Sequence, residues 1–218
     1  MLKLYGVPLS PFARKALLAL DYKGLEYENI PTFPGDESPE FRAISPLGKI
    51  PVLEHDGFTI PDTSVICRYL ERIAPDNALY PQDPKLEAQA CWLEEYADSR
   101  LVEACAGLFR ERLLKPQMLN EPTDEAAVQN ILDNTLPDRL RYLESVTPES
   151  GYLVGDSLSI ADIAVVSCFV QARYGNFDVD AEQHPKLANY LEQAYNSELL
   201  TKRMQAEQAA MPPGLIGE

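Results

Sequence analysis

The chain has no Cys-x-x-Cys pair, and its 218 residues include only four cysteines and two histidines. Cys67, Cys91, Cys105 and Cys168 are scattered, each in a helical pattern. That spacing argues against a dithiol redox motif and points to reduced, mostly buried cysteines that pack as small apolar residues. With only His55 and His184 beside them and no cluster of ligands, a metal site is disfavoured. No apolar run approaches the ~20 residues that a membrane helix needs. The opening Met1–Gly6 stretch is too short to be a signal peptide. Membrane attachment is therefore disfavoured, and a cytoplasmic location is expected.

Positive charge is also scarce. Lys and Arg number 19 against 34 Asp and Glu, a net charge of −15, which disfavours a nucleic-acid partner. The deficit is uneven: residues 1–80 hold 8 basic and 11 acidic side chains, whereas residues 81–218 hold 11 and 23. A local site for a small anionic ligand is better sought in the first third. Hydrophobic content of 45% and charged content of 24% are ordinary for a soluble globular chain.

One stretch organises the rest, Ser45-Pro46-Leu47-Gly48-Lys49-Ile50-Pro51-Val52-Leu53. Proline lacks the N–H that a strand interior needs, yet strand patterning survives on either side of Pro51. Pro51 therefore reads as the first strand position, and a cis Ile50–Pro51 bond is compatible, since proline lowers the cost of cis to about 0.5–1 kcal/mol. Such a turn presents the Ile50 backbone outward, with a strand edge facing an open cleft between two domains.

The remainder falls into two parts. Leu2–Tyr5 alternates as a strand, Pro11 opens a helix that ends at Lys23-Gly24, and Leu25–Ile30 reads as a second strand. A Pro- and Gly-rich loop with one helical turn near Pro39–Arg42 precedes the Pro51 strand. A hairpin turns at Asp56-Gly57. Asp62 caps a helix whose apolar face is Val65, Ile66, Tyr69, Leu70 and Ile73. The two positive charges of Arg14 and Lys15 lie against the first helix's dipole; Lys15 reads as solvated, and Arg14 is left open. This βαβαββα order is that of a thioredoxin-like domain over residues 1–78, with 79–84 as a linker.

Residues 85–218 read as all helix. A long helix carries Leu86, Ala90, Leu93, Ala97, Leu101, Ala104 and Leu108 on one stripe and is closed by Pro116. A second runs from Thr123 to Val146 with a kink at Pro137. Ser159-Ile160-Ala161-Asp162 forms a capping box that opens a nearly all-apolar helix, two more helices follow, and a tail begins at Met211.

Five features, in this order, resemble the cytosolic glutathione transferases, specifically their bacterial, serine-type members. They are Ser10-Pro11-Phe12-Ala13-Arg14-Lys15; Ile50-Pro51-Val52-Leu53; Asp62 to Leu70; the prolines before the helical region; and the Ser159–Asp162 box. The resemblance implies the glutathione transferase fold, an α/β thioredoxin-like domain followed by an all-α helical domain, usually as a homodimer. It implies glutathione as co-substrate, a small electrophile as its partner, and a cis Pro51. A glutathione-dependent isomerase or dehalogenase on the same fold, or a non-catalytic interaction protein, is the alternative.

On this resemblance, Ser10 is the catalytic hydroxyl that stabilises the glutathione thiolate, with helix capping as its plain structural role. Tyr5 is a rival hydroxyl. Lys49, Ile50, Asp62 and Thr63 are the glutathione-binding candidates: Lys49 for the glycyl carboxylate, the Ile50 backbone for the cysteinyl unit, and Asp62 with Thr63 for the γ-glutamyl end. Tyr96, Arg100, Gly107 and Arg110 share a stripe of the long helix and form a candidate electrophile pocket, with Gly107 leaving room. A solvated or dimer face is an equal reading of that stripe.

Overall fold

The computed structural model describes residues 1–211. Its contacts divide the chain into a first unit, Met1–Tyr80, and a second that begins at Pro81. The expected tail lies, past Met211, outside the described residues.

The first unit is a four-stranded mixed sheet with two long helices. Strand β1 (Leu2–Tyr5) leads into α1 (Pro11–Tyr22) and β2 (Tyr27–Ile30). Short α2 (Pro39–Ile44) precedes β3 (Val52–His55), β4 (Phe58–Ile60) and α3 (Thr63–Ile73). The sheet order is β2-β1-β3-β4, with β1 parallel to β2 and the other pairs antiparallel. Alternation puts Leu2, Leu4, Leu53 and Ile60 inside, under Ala16, Leu17 and Leu20 of α1 and Ile66 and Leu70 of α3. The β3–β4 turn is tight because Asp56 and Gly57 both take positive φ, 51° and 87°.

Two expectations for this unit are corrected. Val65 and Ile73 are 53% and 40% exposed, so the inward face of α3 is Thr63, Ile66, Cys67 and Leu70. A strip three or four residues apart can be drawn on either side of Ile66, and only packing against α1 chooses between them. Strand β2 also begins two residues later than expected, at Tyr27.

Lys23 closes both helices. Its backbone caps α1, while its buried Nζ meets Glu71 at 2.7 Å and donates to the Ala74 carbonyl at 2.7 Å, at the end of α3. The segment after α3 stays with this unit: Leu79 N–H donates to Glu71 Oε2 at 2.9 Å, and the Arg68 guanidinium lies over the Tyr80 ring at 3.8 Å.

The second unit is all helical. The expected long helix is interrupted: α4 (Pro84–Tyr96) passes through a wide π turn (Ala97–Leu101) into α5 (Val102–Phe109) and a second wide segment (Arg110–Leu119). Pro116 therefore does not close the helix. It is carried inside the widened segment, where longer-range bonding tolerates a missing N–H, and Asn120 ends the run at φ 54°. The next helix has the same device: α6 (Glu125–Asn130), a π turn (Ile131–Thr135), then α7 (Leu136–Val146), with Pro137 at the start of the resumed helix.

Buried Arg139 answers the π turns on both sides. Its Nε donates to the Arg100 carbonyl at 2.5 Å, Nη1 donates to the Thr135 carbonyl, and Nη2 pairs with Glu103 at 2.6 Å. Widened turns turn carbonyls away from the helical ladder, and one guanidinium takes a carbonyl from each.

Helix α8 (Ile160–Tyr174) is the centre, buried along nearly its whole length and packed by α4 and α5. Gly175 at its end lets α5 approach: a Cβ there would lie 2.7 Å from the Leu108 carbonyl carbon. At its start, Asp162 accepts from Ser159 N–H at 2.8 Å, Ser159 Oγ at 3.0 Å, Leu153 N–H at 2.9 Å and Tyr190 Oη at 2.9 Å. Helices α9 (Pro185–Tyr195) and α10 (Glu198–Ala209) complete the unit. Cys67, Cys105 and Cys168 are buried and Cys91 is half-buried; burial pushes the Cys105 thiol up to about 12.

Candidate functional site

The first unit gathers the candidate residues at the ends of three elements. Ser10 is the N-cap of α1, and its Oγ accepts from Ala13 N–H at 3.3 Å. The capping role is therefore present. It uses an acceptor lone pair of the hydroxyl and leaves its O–H as a donor.

Gly6 explains how this turn meets the next. A Cβ on Gly6 would lie 3.2 Å from Ala13 Cβ and 3.7 Å from Pro51 Cβ. A side chain on Gly6 would press on Ala13 and touch Pro51, so the glycine eases the close packing of the β1–α1 loop against both. The capped turn of α1 and the Ile50–Pro51 turn are thus close neighbours, and the Ile50–Pro51 bond is cis.

The Ile50 side chain is buried in a cluster with Phe41 and Val52, against which Tyr5, Val7 and Ile44 pack. Its backbone lies past the last paired rows, Tyr5–Val52 on one side and Leu53–Ile60 on the other. The expectation of a lateral strand edge is corrected here, because β3 is an interior strand. What Ile50 offers is an extension beyond the end of both ladders. The preceding loop is pinned by buried Ser45, whose Oγ donates to the Lys49 carbonyl at 2.7 Å. The Lys49 side chain is exposed.

Asp62 is the N-cap of α3, its Oδ1 accepting from Val65 N–H at 3.0 Å. Thr63 is buried and Ser64 half-buried. The remaining N–H groups of this first turn form an anion-binding end of the kind helices offer generally.

One side chain differs from expectation, and two that were open find partners. Lys15 is buried, not solvated, at 1% exposure, and Arg14, which was left open, is fully buried. Lys15 Nζ donates to Ser64 Oγ at 3.1 Å, and Arg14 Nη2 reaches the Pro8 carbonyl at 3.4 Å. Their charge in the sequence points outward; their long apolar stems and the packing of α1 on α3 bring them in. Tyr5 is engaged elsewhere. Its hydroxyl donates to Glu54 Oε2 at 2.7 Å, and that bond and burial raise its pKa to about 12.

In the second unit the residues of the long-helix stripe have different surroundings. The space beside Gly107 is filled: a Cβ there would lie 2.7 Å from Ile131 Cδ1, so the glycine serves helix packing. The Tyr96 ring meets that of Tyr142 at 4.6 Å, tilted by 52°, beside half-exposed Trp92, and burial raises its pKa. Arg100 and Arg110 are exposed, and Arg110 lies 3.9 Å from Glu111.

A thioredoxin-like unit with a cis-proline turn before β3, followed by a helical unit, defines the fold class. Comparisons with known proteins identify the family within it. Residues 4–78 match the glutathione S-transferase N-terminal domain, and residues 108–202 match the C-terminal domain. A glutathione S-transferase of Pseudomonas putida is 32% identical over 179 residues, 78% of this chain and 73% of the relative. Glutathione S-transferase 4 of Zea mays is also 32% identical, over 79% of each chain. The crystal structure of a glutathione S-transferase from Rhodospirillum rubrum superposes with a TM-score of 0.81 at 30% identity, covering 93% of this chain and 91% of that one.

The chain belongs to the glutathione S-transferase family. It is a glutathione transferase with glutathione as co-substrate, and these relatives do not favour the isomerase, dehalogenase or non-catalytic alternatives.

Proposed function

We propose that the first unit holds glutathione along a path from α3 to α1, and that Ser10 donates a hydrogen bond to its sulfur as thiolate. The observation that supports this most is the close packing of Gly6, Ala13 and Pro51, which brings the Ser10 cap and the Ile50 backbone together. An extended tripeptide spans about 10 Å, enough to touch both and a helix end besides. The Ile50 backbone then pairs with the cysteinyl unit, Lys49 answers the glycyl carboxylate, and Asp62 with Thr63 receives the γ-glutamyl end.

The chemistry is addition. The thiol proton passes to solvent, and the sulfur lone pair forms a bond to the electrophilic carbon as that carbon's π electrons move onto its electron-withdrawing substituent; the adduct then takes a proton from solvent or, on an aromatic ring, expels its leaving group with the bonding pair. Ser10 need not remove a proton; a donor to the sulfur, with the α1 N-terminus behind it, lowers the thiol's pKa. On the second unit, Tyr96 and Arg100 are the candidates for meeting the electrophile, and Arg110 is a weaker one. A homodimer in the cytoplasm completes the reading.

Glutathione-affinity capture, followed by conjugation of a generic aromatic electrophile by wild type and Ser10→Ala, tests it. Capture of both proteins with a large loss of turnover in Ser10→Ala is the expected result. Equal turnover would sink the role of Ser10, and no capture of wild type would sink the glutathione site. Light scattering reads the dimer.

A further inference from the structure

We infer that Lys15 is a positioning residue for the γ-glutamyl end of glutathione, acting through Ser64. The inference rests on the glutathione site proposed above. Lys15 is 1% exposed, and its Nζ donates to Ser64 Oγ at 3.1 Å. Ser64 is the second residue of α3, within the turn whose N–H groups face the ligand's carboxylate.

Burying an ammonium is costly, and a methionine of similar length would fill the same space without that cost. A lysine here adds two things. It fixes the Ser64 side chain and so ties the first turn of α3 to α1. It also places a positive charge beneath a helix end that already favours an anion, in surroundings that screen it less than water does. Arg14, its neighbour, reaches the Pro8 carbonyl in the loop that carries Ser10. Adjacent cations of one helix thus hold the two ends of the ligand path: Arg14 the sulfur end and Lys15 the γ-glutamyl end.

The role separates from thiol activation, because the contact that carries it is to Ser64, in the first turn of α3, whereas the sulfur is assigned to Ser10 on α1. The test uses full-length protein, glutathione kinetics, and calorimetric binding of S-methylglutathione, which has no thiol to ionise. Lys15→Met is expected to raise KM for glutathione and Kd for S-methylglutathione in parallel by about tenfold, the size of one charge-assisted hydrogen bond. Its kcat at saturating glutathione stays within about twofold of wild type, as for loss of uniform binding. Ser64→Ala moves both constants in the same direction by less, and Lys15→Arg, which keeps charge and donors, restores them toward wild type.

A merely structural lysine would lower the amount of active protein and leave both constants unmoved. A folded Lys15→Met with unchanged KM and Kd, or with a fall in kcat alone, overturns the inference. Should Lys15→Met not fold, Ser64→Ala decides by the same reading, and an unchanged Kd overturns it. Wild type that fails to bind S-methylglutathione overturns the glutathione site itself, whereas binding wild type with unchanged variants overturns only the role of Lys15.

Discussion

The Tyr5 hydroxyl donates to Glu54 Oε2 at 2.7 Å, and Lys3 Nζ lies 3.3 Å from the other carboxylate oxygen. The phenol proton is held by a carboxylate, and the Tyr5 pKa rises to about 12. The same bond holds the Glu54 carboxyl below its usual range. A hydroxyl committed in this way does not serve a thiolate. Tyr5→Phe should therefore keep kcat/KM within about threefold of wild type while costing about 1 kcal/mol of stability in urea unfolding. Ser10→Ala should lose on the order of a hundredfold in turnover, the typical cost of removing a donor to a developing anion. The ultraviolet thiolate band of bound glutathione distinguishes the two, titrating at higher pH in Ser10→Ala and unmoved in Tyr5→Phe.

Arg139 bonds the Arg100 and Thr135 carbonyls and Glu103 from a site only 7% exposed. Arg139→Met keeps most of the packing and leaves carbonyls from two π turns without their donor. The cost should be about 3 kcal/mol, read as a lower urea midpoint with an unchanged m-value. Glu103→Gln, at an exposed partner, should cost less than about 1 kcal/mol. A small loss at Arg139 would mean that water serves those carbonyls equally well.

Much of the first unit was legible because its signals are local. Asp56-Gly57 demands a tight turn, Asp62 caps α3 three residues before Val65, and Ser159 with Asp162 forms its box from neighbours in sequence. What escaped depends on partners far along the chain. Lys15 meets Ser64, 49 residues away, and a charged residue in a helix's first turn carries no mark of that. Gly107 read as open space because Ile131, which fills it, lies on another helix. Pro116 read as a stop because nothing in the sequence around it marks the π geometry that admits it. Within the site, Ser10, Ile50 and Asp62 stood out by motif, whereas the engagement of Tyr5 required the β1–β3 register that pairs Lys3 with Glu54.

Glu111 links the end of the α5 region to the start of α6. Its carboxylate meets Lys115 Nζ at 2.6 Å and accepts from Asp124 N–H at 3.0 Å, while its carbonyl accepts from Thr123 Oγ1 at 2.9 Å. The Lys115 bond holds its pKa below the ordinary 4.5. A lowered carboxyl pKa in the folded state gives stability that is complete above the unfolded value and lost as pH falls through the folded one. Wild type should therefore lose stability relative to Glu111→Gln as the pH drops from about 5 to 3, with the gap between them widest at neutral pH. Parallel unfolding curves for the two proteins across that range would remove Glu111 from the account.

Gly48 sits at φ +63°, and a Cβ there would lie 2.9 Å from the Arg42 guanidinium carbon. Its N–H donates to the Ser45 carbonyl at 2.8 Å and its carbonyl accepts from Gly35 N–H at 3.0 Å, so this turn delivers Lys49 and Ile50. Gly48→Ala forces a non-glycine residue into the left-handed region, at about 1–2 kcal/mol, and displaces Arg42 as well. The loop should respond by moving the Ile50 backbone, which raises KM for glutathione by about tenfold and leaves kcat nearly unchanged. Gly57 is the control, because it too has positive φ, 87°, but sits in the β3–β4 turn with nothing near its would-be Cβ. Gly57→Ala should lose comparable stability with KM unmoved. If the two variants change KM alike, general loosening of the first unit governs glutathione affinity, and the shape of the Gly48 turn does not.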